Sequence, residues 1–378
     1  MLKLVILIIY FAVLIGIGLY CRKHATDVNG FVLGGRSVGP WLTAFAYGTS
    51  YFSAVVFVGY AGQFGWKYGI AATWAGIGNA IIGSLLAWVV LGRRTRIMSQ
   101  HLDSATMPQY FGKRFGSNPL KIGASVIIFI FLIPYTASLY NGLSRLFGMA
   151  FNIDYSVCII IMATLTAIYV IAGGYMATAI NDFIQGIIML FGIVAVIAAV
   201  IHSKGGFMSA LQGLANVSDP AVSDTPGIFA SFFGPDPLNL LFVVILTSLG
   251  TWGLPQMVSK YYAVKDIKSI HKATVISTVF ALIIGAGAYF VGSLSRLVLN
   301  NQLPEGGVDA VIPNTLLTAL GDPNIVTTII LAVILILLLS ASMSTLSSIV
   351  LSSASAISVD LIPAVNKNYS GKNQMILT

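Results

Sequence analysis

Charged residues, cysteine and histidine are scarce in this 378-residue chain. Only 8% of its residues are charged, and it has two cysteines and four histidines. Two cysteines make neither a disulfide framework nor a metal-binding cluster. The histidines lie in predicted loops or at the ends of apolar segments, and no HExxH or Walker-type motif occurs, so we do not expect an enzyme. Hydrophobic residues make up 57% of the chain and the mean hydropathy is +0.90, which is typical of an all-α polytopic membrane protein.

The apolar residues fall into about nine segments, each long enough to cross a lipid bilayer as a helix. Most of the 20 lysines and arginines lie between these segments on one predicted side. Because short positive loops stay inside, this distribution predicts a multi-pass protein of the cell (inner) membrane with its N-terminus outside. The net charge of +8 therefore reflects membrane orientation, and no nucleic-acid partner is expected.

Two of the apolar segments, five apart, are interrupted by polar and small residues. Residues 47–53 read Tyr-Gly-Thr-Ser-Tyr-Phe-Ser, and residues 247–255 read Thr-Ser-Leu-Gly-Thr-Trp-Gly-Leu-Pro. Pro255 removes a backbone donor and the glycines lower the cost of unwinding, so we expect both helices to break here. Paired breaks favour a transporter built from two inverted repeats, with solute and ion held at the breaks. Ordinary kinks are the alternative.

Hydroxyl groups cluster in the last apolar segment. Ala341, Ser344, Thr345 and Ser348 recur at i, i+3, i+4 and i+7, and therefore share one face of a helix. Hydroxyls are costly in hydrocarbon, so this face should meet protein, water or an ion. A carbonyl and neutral hydroxyls suit a hard monovalent cation such as sodium. Small residues that permit close helix packing are the alternative.

Five motifs resemble the sodium:solute symporter family, in the family's order and over essentially the whole chain. They are residues 31–37 (Phe-Val-Leu-Gly-Gly-Arg-Ser), 105–115 (Ala-Thr-Met-Pro-Gln-Tyr-Phe-Gly-Lys-Arg-Phe), 173–185 (the Gly-Gly…Asp…Gln segment), 252–256 (Trp-Gly-Leu-Pro-Gln) and 343–348 (Met-Ser-Thr-Leu-Ser-Ser). Members of this family transport proline, pantothenate, sialic acid, sugars or monocarboxylates together with sodium. The resemblance implies that sodium is the coupling ion here.

The resemblance also implies a leading helix plus an inverted-repeat core of the leucine-transporter type. Residues 1–40 would be a leading transmembrane helix and internal loop, 41–203 the first five-helix repeat, 204–237 an external loop, and 238–378 the second repeat. Only three helices of that second repeat are present, so we expect a C-terminally truncated piece of a longer protein. The implied function is secondary active transport: symport of a small organic solute with sodium by alternating access. A symporter-like sensor module of a longer signalling protein is the alternative.

Two sodium sites follow from the resemblance. The first would use the backbone carbonyls of Thr49, Phe52 and Ala341 with the hydroxyls of Ser344 and Thr345. The second, present in some members, would use Asp182, Ser344, Ser347 and Ser348. Asp182 is the one acid that we place at the edge of an apolar segment, and an acid there marks an ion pathway. The alternative for Asp182 is a helix N-cap.

Aromatic and polar residues near the breaks are the candidates for solute binding. They are Tyr47, Ser50, Tyr51, Ser53, Tyr135, Ser138, Asn141, Trp252 and Gln256. Leu254 and Gln256 stand where the family commonly has Gln and His, so the resemblance does not carry over a named solute. No Arg or Lys is expected in the middle of a segment, so a solute carboxylate would meet helix ends, hydroxyls or the sodium ion.

Overall fold

Helices form most of the structure, a computed structural model that describes residues 2–151, 154–322 and 324–365. The helices, in chain order, are α1 (Leu2–Cys21), α2 (Val28–Leu33), α3 (Pro40–Tyr51), α4 (Val55–Tyr60 continued by Ala61–Tyr68), α5 (Thr73–Gly78 continued by Asn79–Leu86, Trp88–Gly92 and Arg93–His101), α6 (Met107–Phe115), α7 (Asn118–Phe151), α8 (Tyr155–Ser203), α9 (Phe207–Ala215), α10 (Pro237–Leu249), α11 (Pro255–Ala263), α12 (Ile267–Ala281 continued by Leu282–Ala286 and Gly287–Ser293), α13 (Val311–Leu320) and α14 (Ile325–Ser355 continued by Ala356–Leu361). Single helical turns lie at Arg22–His24, Gly34–Arg36, Gly69–Ala72, Ile228–Ala230, Ser295–Val298, Gly307–Ala310 and Ile362–Val365. No β-strand occurs in the described ranges, which confirms the all-α prediction.

Several helical stretches have the length and hydropathy of membrane spans. Five described stretches are long and apolar enough to cross a bilayer: Val55–His101, Asn118–Tyr140, Ser156–Ser203, Ile267–Val298 and Ile325–Val365. Three shorter apolar helices accompany them, at Val5–Cys21, Pro237–Leu249 and Gly307–Leu320. A single crossing needs only about 20 residues, so the longest stretches hold more than one crossing or continue beyond the bilayer.

Glycine residues divide two of these long stretches. Gly174 interrupts α8 with φ 53° and ψ −145°, and Gly69 separates α4 from α5 with φ 61°. Positive φ is costly for residues with a Cβ, so glycine is the residue that permits the chain to turn at these points. The second half of α8 therefore begins just after Gly174, and not at Asp182 as the hydropathy pattern predicts.

Both predicted helix breaks are present. α3 ends at Tyr51 and α4 begins at Val55, and Phe52 between them has an extended backbone with φ −101° and ψ 92°. α10 ends at Leu249 and α11 begins at Pro255, with the proline in the first turn, where its missing N–H costs nothing. The breaks leave helix-terminal carbonyl and N–H groups without partners inside their own helices.

Residues 204–237, predicted as an external loop, contain a helix. α9 covers Phe207–Ala215 within this segment, and it buries Ala210 and Leu214. The Gly, Pro, Ser and Asp residues that indicate a loop lie after α9, while the apolar residues of α9 itself recur at helical spacing. The predicted external loop therefore begins with a short helix, and its position outside the membrane stays a prediction.

The two broken helices are held by close contacts with their neighbours. α3 and α14 both pack on α8, which also contacts α1, while α12 packs on α3 and α4. The backbones of α4 and α12 are in close contact at Gly65 and Gly292. A Cβ built on Gly65 would lie 2.1 Å from the Gly292 carbonyl carbon. Close contact between glycines on two helices is a common way of packing helices in membranes.

We expect Gly65→Ala to destabilise the protein, because the added methyl group would overlap the backbone of α12. Overpacking of this kind costs about 1–3 kcal/mol or more. Gly59→Ala is the matched control, since Gly59 lies on the same helix with open space where its Cβ would be. Thermal unfolding in detergent should show a lower midpoint for Gly65→Ala only. Equal midpoints for the two variants would contradict the α4–α12 contact.

Candidate functional site

Four of the five predicted first-site ligands meet where α14 crosses the first break. The Ser344 and Thr345 hydroxyls lie 3.2 and 3.3 Å from the Thr49 carbonyl oxygen, and 3.2 and 3.1 Å from the Ala341 carbonyl oxygen. All four residues are fully buried. In a site with ligands about 2.4 Å from the ion, as for calcium, neighbouring ligands at a right angle lie about 3.4 Å apart. The two hydroxyls donate hydrogen bonds to both carbonyls, and the four hydroxyl–carbonyl distances are close to that spacing.

The local sequence explains why these oxygens are available. α3 stops at Tyr51, so the carbonyl of Thr49 lies in its last turn and accepts no helical hydrogen bond. The spacing of Ser344 and Thr345 on α14 directs both hydroxyls to the face that meets α3. Phe52 lies in the break itself. In the described part of the chain, no hydrogen bond ties its carbonyl to the other four ligands, so its role stays a prediction.

Asp182, the predicted acid of a second sodium site, is completely buried in α8. It lies about two turns inside the second half of that helix, so the N-cap alternative is wrong. Neither of its carboxylate oxygens accepts a hydrogen bond within the described residues. Of the predicted hydroxyl ligands, Ser347 donates to the Ser344 carbonyl of its own helix at 2.9 Å. The structure does not test a second sodium ion, which stays a prediction.

A lysine lies where no mid-segment charge was predicted. Lys260 on α11 has only 1% of its surface exposed, and its Nζ donates to the Ser348 hydroxyl at 3.0 Å. The same Nζ lies 3.7 Å from Asp182 Oδ2 and 5.0 Å from the centre of the Tyr175 ring. The prediction that no lysine lies within a segment was wrong because α11 begins at Pro255, so Lys260 is little more than one turn from the break. That short distance along the sequence is the signal that would have found Lys260.

A second buried acid was also missed. Asp360, in the continuation of α14, is fully buried. It accepts a hydrogen bond from the Thr106 hydroxyl at 2.8 Å and lies 3.9 Å from Lys121 Nζ. The hydropathy pattern places it just beyond the end of the last segment, where an acid is usually solvated. Asp182 is therefore not the only acid buried among the apolar segments.

A cavity of about 740 Å³ lies between the two breaks, and three of the predicted solute residues line it. These are Tyr51, Ser53 and Tyr135. The cavity lies on the side of residues 204–237, because α10, which follows that segment, and α4, which ends near Phe229, form its walls. We call this side the 204–237 side.

Asn79 on α5 connects the two breaks at this cavity. Its Oδ1 lies 3.2 Å from the Tyr51 hydroxyl and 3.1 Å from the hydroxyls of Thr247 and Ser248. The Tyr51 hydroxyl also lies 2.9 Å from the Thr247 carbonyl. The sequence itself points to Asn79 as a candidate solute residue, since it is the only amide side chain in its apolar segment.

Tyr47, Ser50, Ser138, Trp252 and Gln256, the other predicted solute residues with described side chains, do not line this cavity. Tyr47 donates to the Gly83 carbonyl at 2.8 Å and packs on Tyr261, while Trp252 donates to the Ile82 carbonyl at 3.0 Å. The Ser50 hydroxyl lies 3.0 Å from the Ser348 hydroxyl, and Ser138 donates to the Tyr135 carbonyl at 2.7 Å. The polar atoms of these four residues therefore have partners within the protein. Gln256 is buried, and neither of its amide atoms has a partner in the described ranges. The side chain of Asn141 lies outside the described residues.

The opposite side of the breaks is closed, and we call it the Arg36 side. The Arg36 guanidinium donates to the Ser104 carbonyl at 2.7 Å, to Ser99 and to the Tyr262 carbonyl. A single β-bridge joins Val38 to Val264. A cleft of about 30 Å³, lined by Lys260, Ser348 and Asp360 among others, lies on this side. Pro255 at the second break and Ile128 on α7 line both the cavity and the cleft, so these two residues lie between them.

The sequence matches the sodium:solute symporter family over residues 31–378. The chain belongs to this family. It is 28% identical to the osmoregulated proline transporter OpuE of Bacillus subtilis (strain 168), over 98% of this chain and 73% of that protein. It is 30% identical to a sodium/proline symporter of Staphylococcus aureus (strain JH9), over 97% of this chain and 70% of that protein.

The fold is that of a solved sodium:solute symporter relative. The substrate-bound outward-open state of a Na⁺-coupled sialic acid symporter matches with a TM-score of 0.82 and 18% identity, over 100% of this chain and 77% of that one. The predicted fold, a leading helix plus an inverted-repeat core of the leucine-transporter type, is thereby confirmed. As a sodium:solute symporter, the protein is a multi-pass membrane protein that couples transport to sodium, and it is not an enzyme.

Proposed function

We propose that this protein moves a small organic solute together with sodium by alternating access. The observation that carries the proposal is the meeting of two carbonyls and two hydroxyls, from Thr49, Ala341, Ser344 and Thr345, at the first break. All four oxygens are neutral and buried, so they coordinate a monovalent cation without releasing a proton. Because the site joins α14 to a broken helix, ion binding and the position of the break are physically linked.

The cavity supports a small neutral or zwitterionic solute. Its described lining includes no charged side chain, and it presents the hydroxyls of Tyr51, Tyr135 and Tyr289 beside the Asn79 amide. Gln256 follows Pro255, a lining residue, and although its buried amide does not itself line the cavity, neither amide atom has a partner in the described ranges. A buried polar group without a partner is costly, so this amide is a candidate hydrogen-bonding group for solute. Two relatives are named for proline, so proline is the first solute to test.

We expect the purified protein in proteoliposomes to take up proline or a chemically similar small solute when sodium is high outside. Uptake should be saturable and should vanish when potassium replaces sodium, because coupling requires the smaller ion. A panel of radiolabelled amino acids, sugars and monocarboxylates, each with and without a sodium gradient, identifies the solute. Empty liposomes are the control. If every solute of the panel crosses equally with and without sodium, the proposed symport is wrong.

A further inference from the structure

Lys260 places a positive charge inside the predicted second sodium site. Its Nζ donates to Ser348 at 3.0 Å and lies 3.7 Å from Asp182 Oδ2, and both of those residues are predicted ligands of the second ion. Lys260 and Asp182 have 1% and 0% of their side-chain surfaces exposed. The lysine therefore cannot be treated as a loop residue near the site. Lys260 contacts Asp182 and Ser348, two of the residues that are predicted to bind the second ion.

A buried carboxylate needs a cation close to it. In the part of the chain that the structure describes, Lys260 is the only cation within ion-pair distance of Asp182. A sodium ion on the same carboxylate would give that pocket a net positive charge away from water, and the two cations would repel each other at short distance. The ammonium also has an advantage over the ion, because it is attached to the chain and loses no translational freedom on binding.

We propose that the Lys260 ammonium is the cation that Asp182 holds, in place of a second sodium ion, so that the protein binds one sodium per chain. This inference rests on the proposed function, since it assigns the single ion to the site at Thr49, Ala341, Ser344 and Thr345. Lys260 thus determines the sodium stoichiometry. Through Ser348, whose hydroxyl lies 3.0 Å from that of Ser50, it is also connected to the first break.

The test counts sodium ions directly and needs no identified solute. Equilibrium binding of ²²Na⁺ to the purified full chain should saturate at one ion for the wild type. Lys260→Met should raise the count to two, because it frees Asp182 and Ser348 for an ion. Lys260→Met combined with Asp182→Asn should return the count to one, since the freed carboxylate is gone. Lys268→Met is the matched control, because it removes an exposed lysine on α12 and should leave one ion.

Two outcomes overturn the role of Lys260. The first is a wild-type count of two, and the second is a folded Lys260→Met variant that still binds one ion. Asp182→Asn keeps the proposal testable if Lys260→Met does not fold: the proposal expects one ion in this variant, while a second-site ligand at Asp182 expects a drop from two. A wild-type count of zero would instead contradict the proposed function, which separates the two failures.

Discussion

Ser344→Ala combined with Thr345→Val is expected to weaken the activation of transport by sodium steeply while leaving the protein folded. The change deletes two of the four oxygens that meet at the first break and keeps the shape of both side chains close to the original. Each lost ligand costs about 1–3 kcal/mol when the partners are buried. The two substitutions together should therefore raise the sodium concentration for half-maximal uptake by roughly 30-fold to 10⁴-fold, at about 1.4 kcal/mol per tenfold change.

Sodium titrations of solute uptake, with thermal unfolding of the same preparations, check this prediction. Ser342→Ala with Ser355→Ala is the matched control. Both of these serines are buried on α14 and donate to carbonyls of their own helix, those of Leu338 and Leu351, but in the described residues neither donates to α3 as Ser344 and Thr345 do. The control should keep wild-type sodium dependence. The site is wrongly placed if the Ser344 and Thr345 variant responds to sodium as the control does.

The features that sequence predicted well are those that depend on near neighbours along the chain. The breaks after Tyr51 and before Pro255 follow from local glycine, proline and hydroxyl residues. The shared face of Ser344 and Thr345 follows from helical periodicity alone. The partner of that face, the Thr49 carbonyl, came from the family resemblance, because a backbone oxygen has no signature in sequence.

The features that sequence missed depend on how distant helices pack. Lys260 is a surface residue by every local criterion, and only the inward course of α11 after the break buries it. Asp360, at the end of α14, is buried for the same reason: Thr106, the residue before the distant helix α6, donates its hydrogen bond. Tyr47 and Trp252 fit a solute pocket by residue type, yet their polar atoms bond to backbone carbonyls of α5. Composition cannot distinguish a pocket aromatic from a packing aromatic.

Access to the breaks is expected to be one-sided and to reverse when solute binds. With sodium alone, a cysteine at Ser53 should react with a charged, membrane-impermeant thiol reagent, because Ser53 lines the 740 Å³ cavity on the 204–237 side. A cysteine at Ser352 should stay protected, since Ser352 lines the 30 Å³ cleft behind Arg36. Sodium with the transported solute should slow the first reaction and expose the second site. A population shift of about 1.4 kcal/mol changes each rate about tenfold.

The native thiols Cys21 and Cys158, both buried, are first changed to alanine so that only the introduced cysteines react. Val58→Cys is the matched control, because Val58 lies on α4 beyond Ser53, packs in the hydrophobic core and is not among the described residues that line the cavity. It should not react in any ligand state. An open channel would expose Ser53→Cys and Ser352→Cys together in every condition, since water would reach both sides of Pro255 at once. Opposite responses of the two positions to solute are the result that only alternating access predicts, because Ser53 and Ser352 line different spaces, the cavity and the cleft.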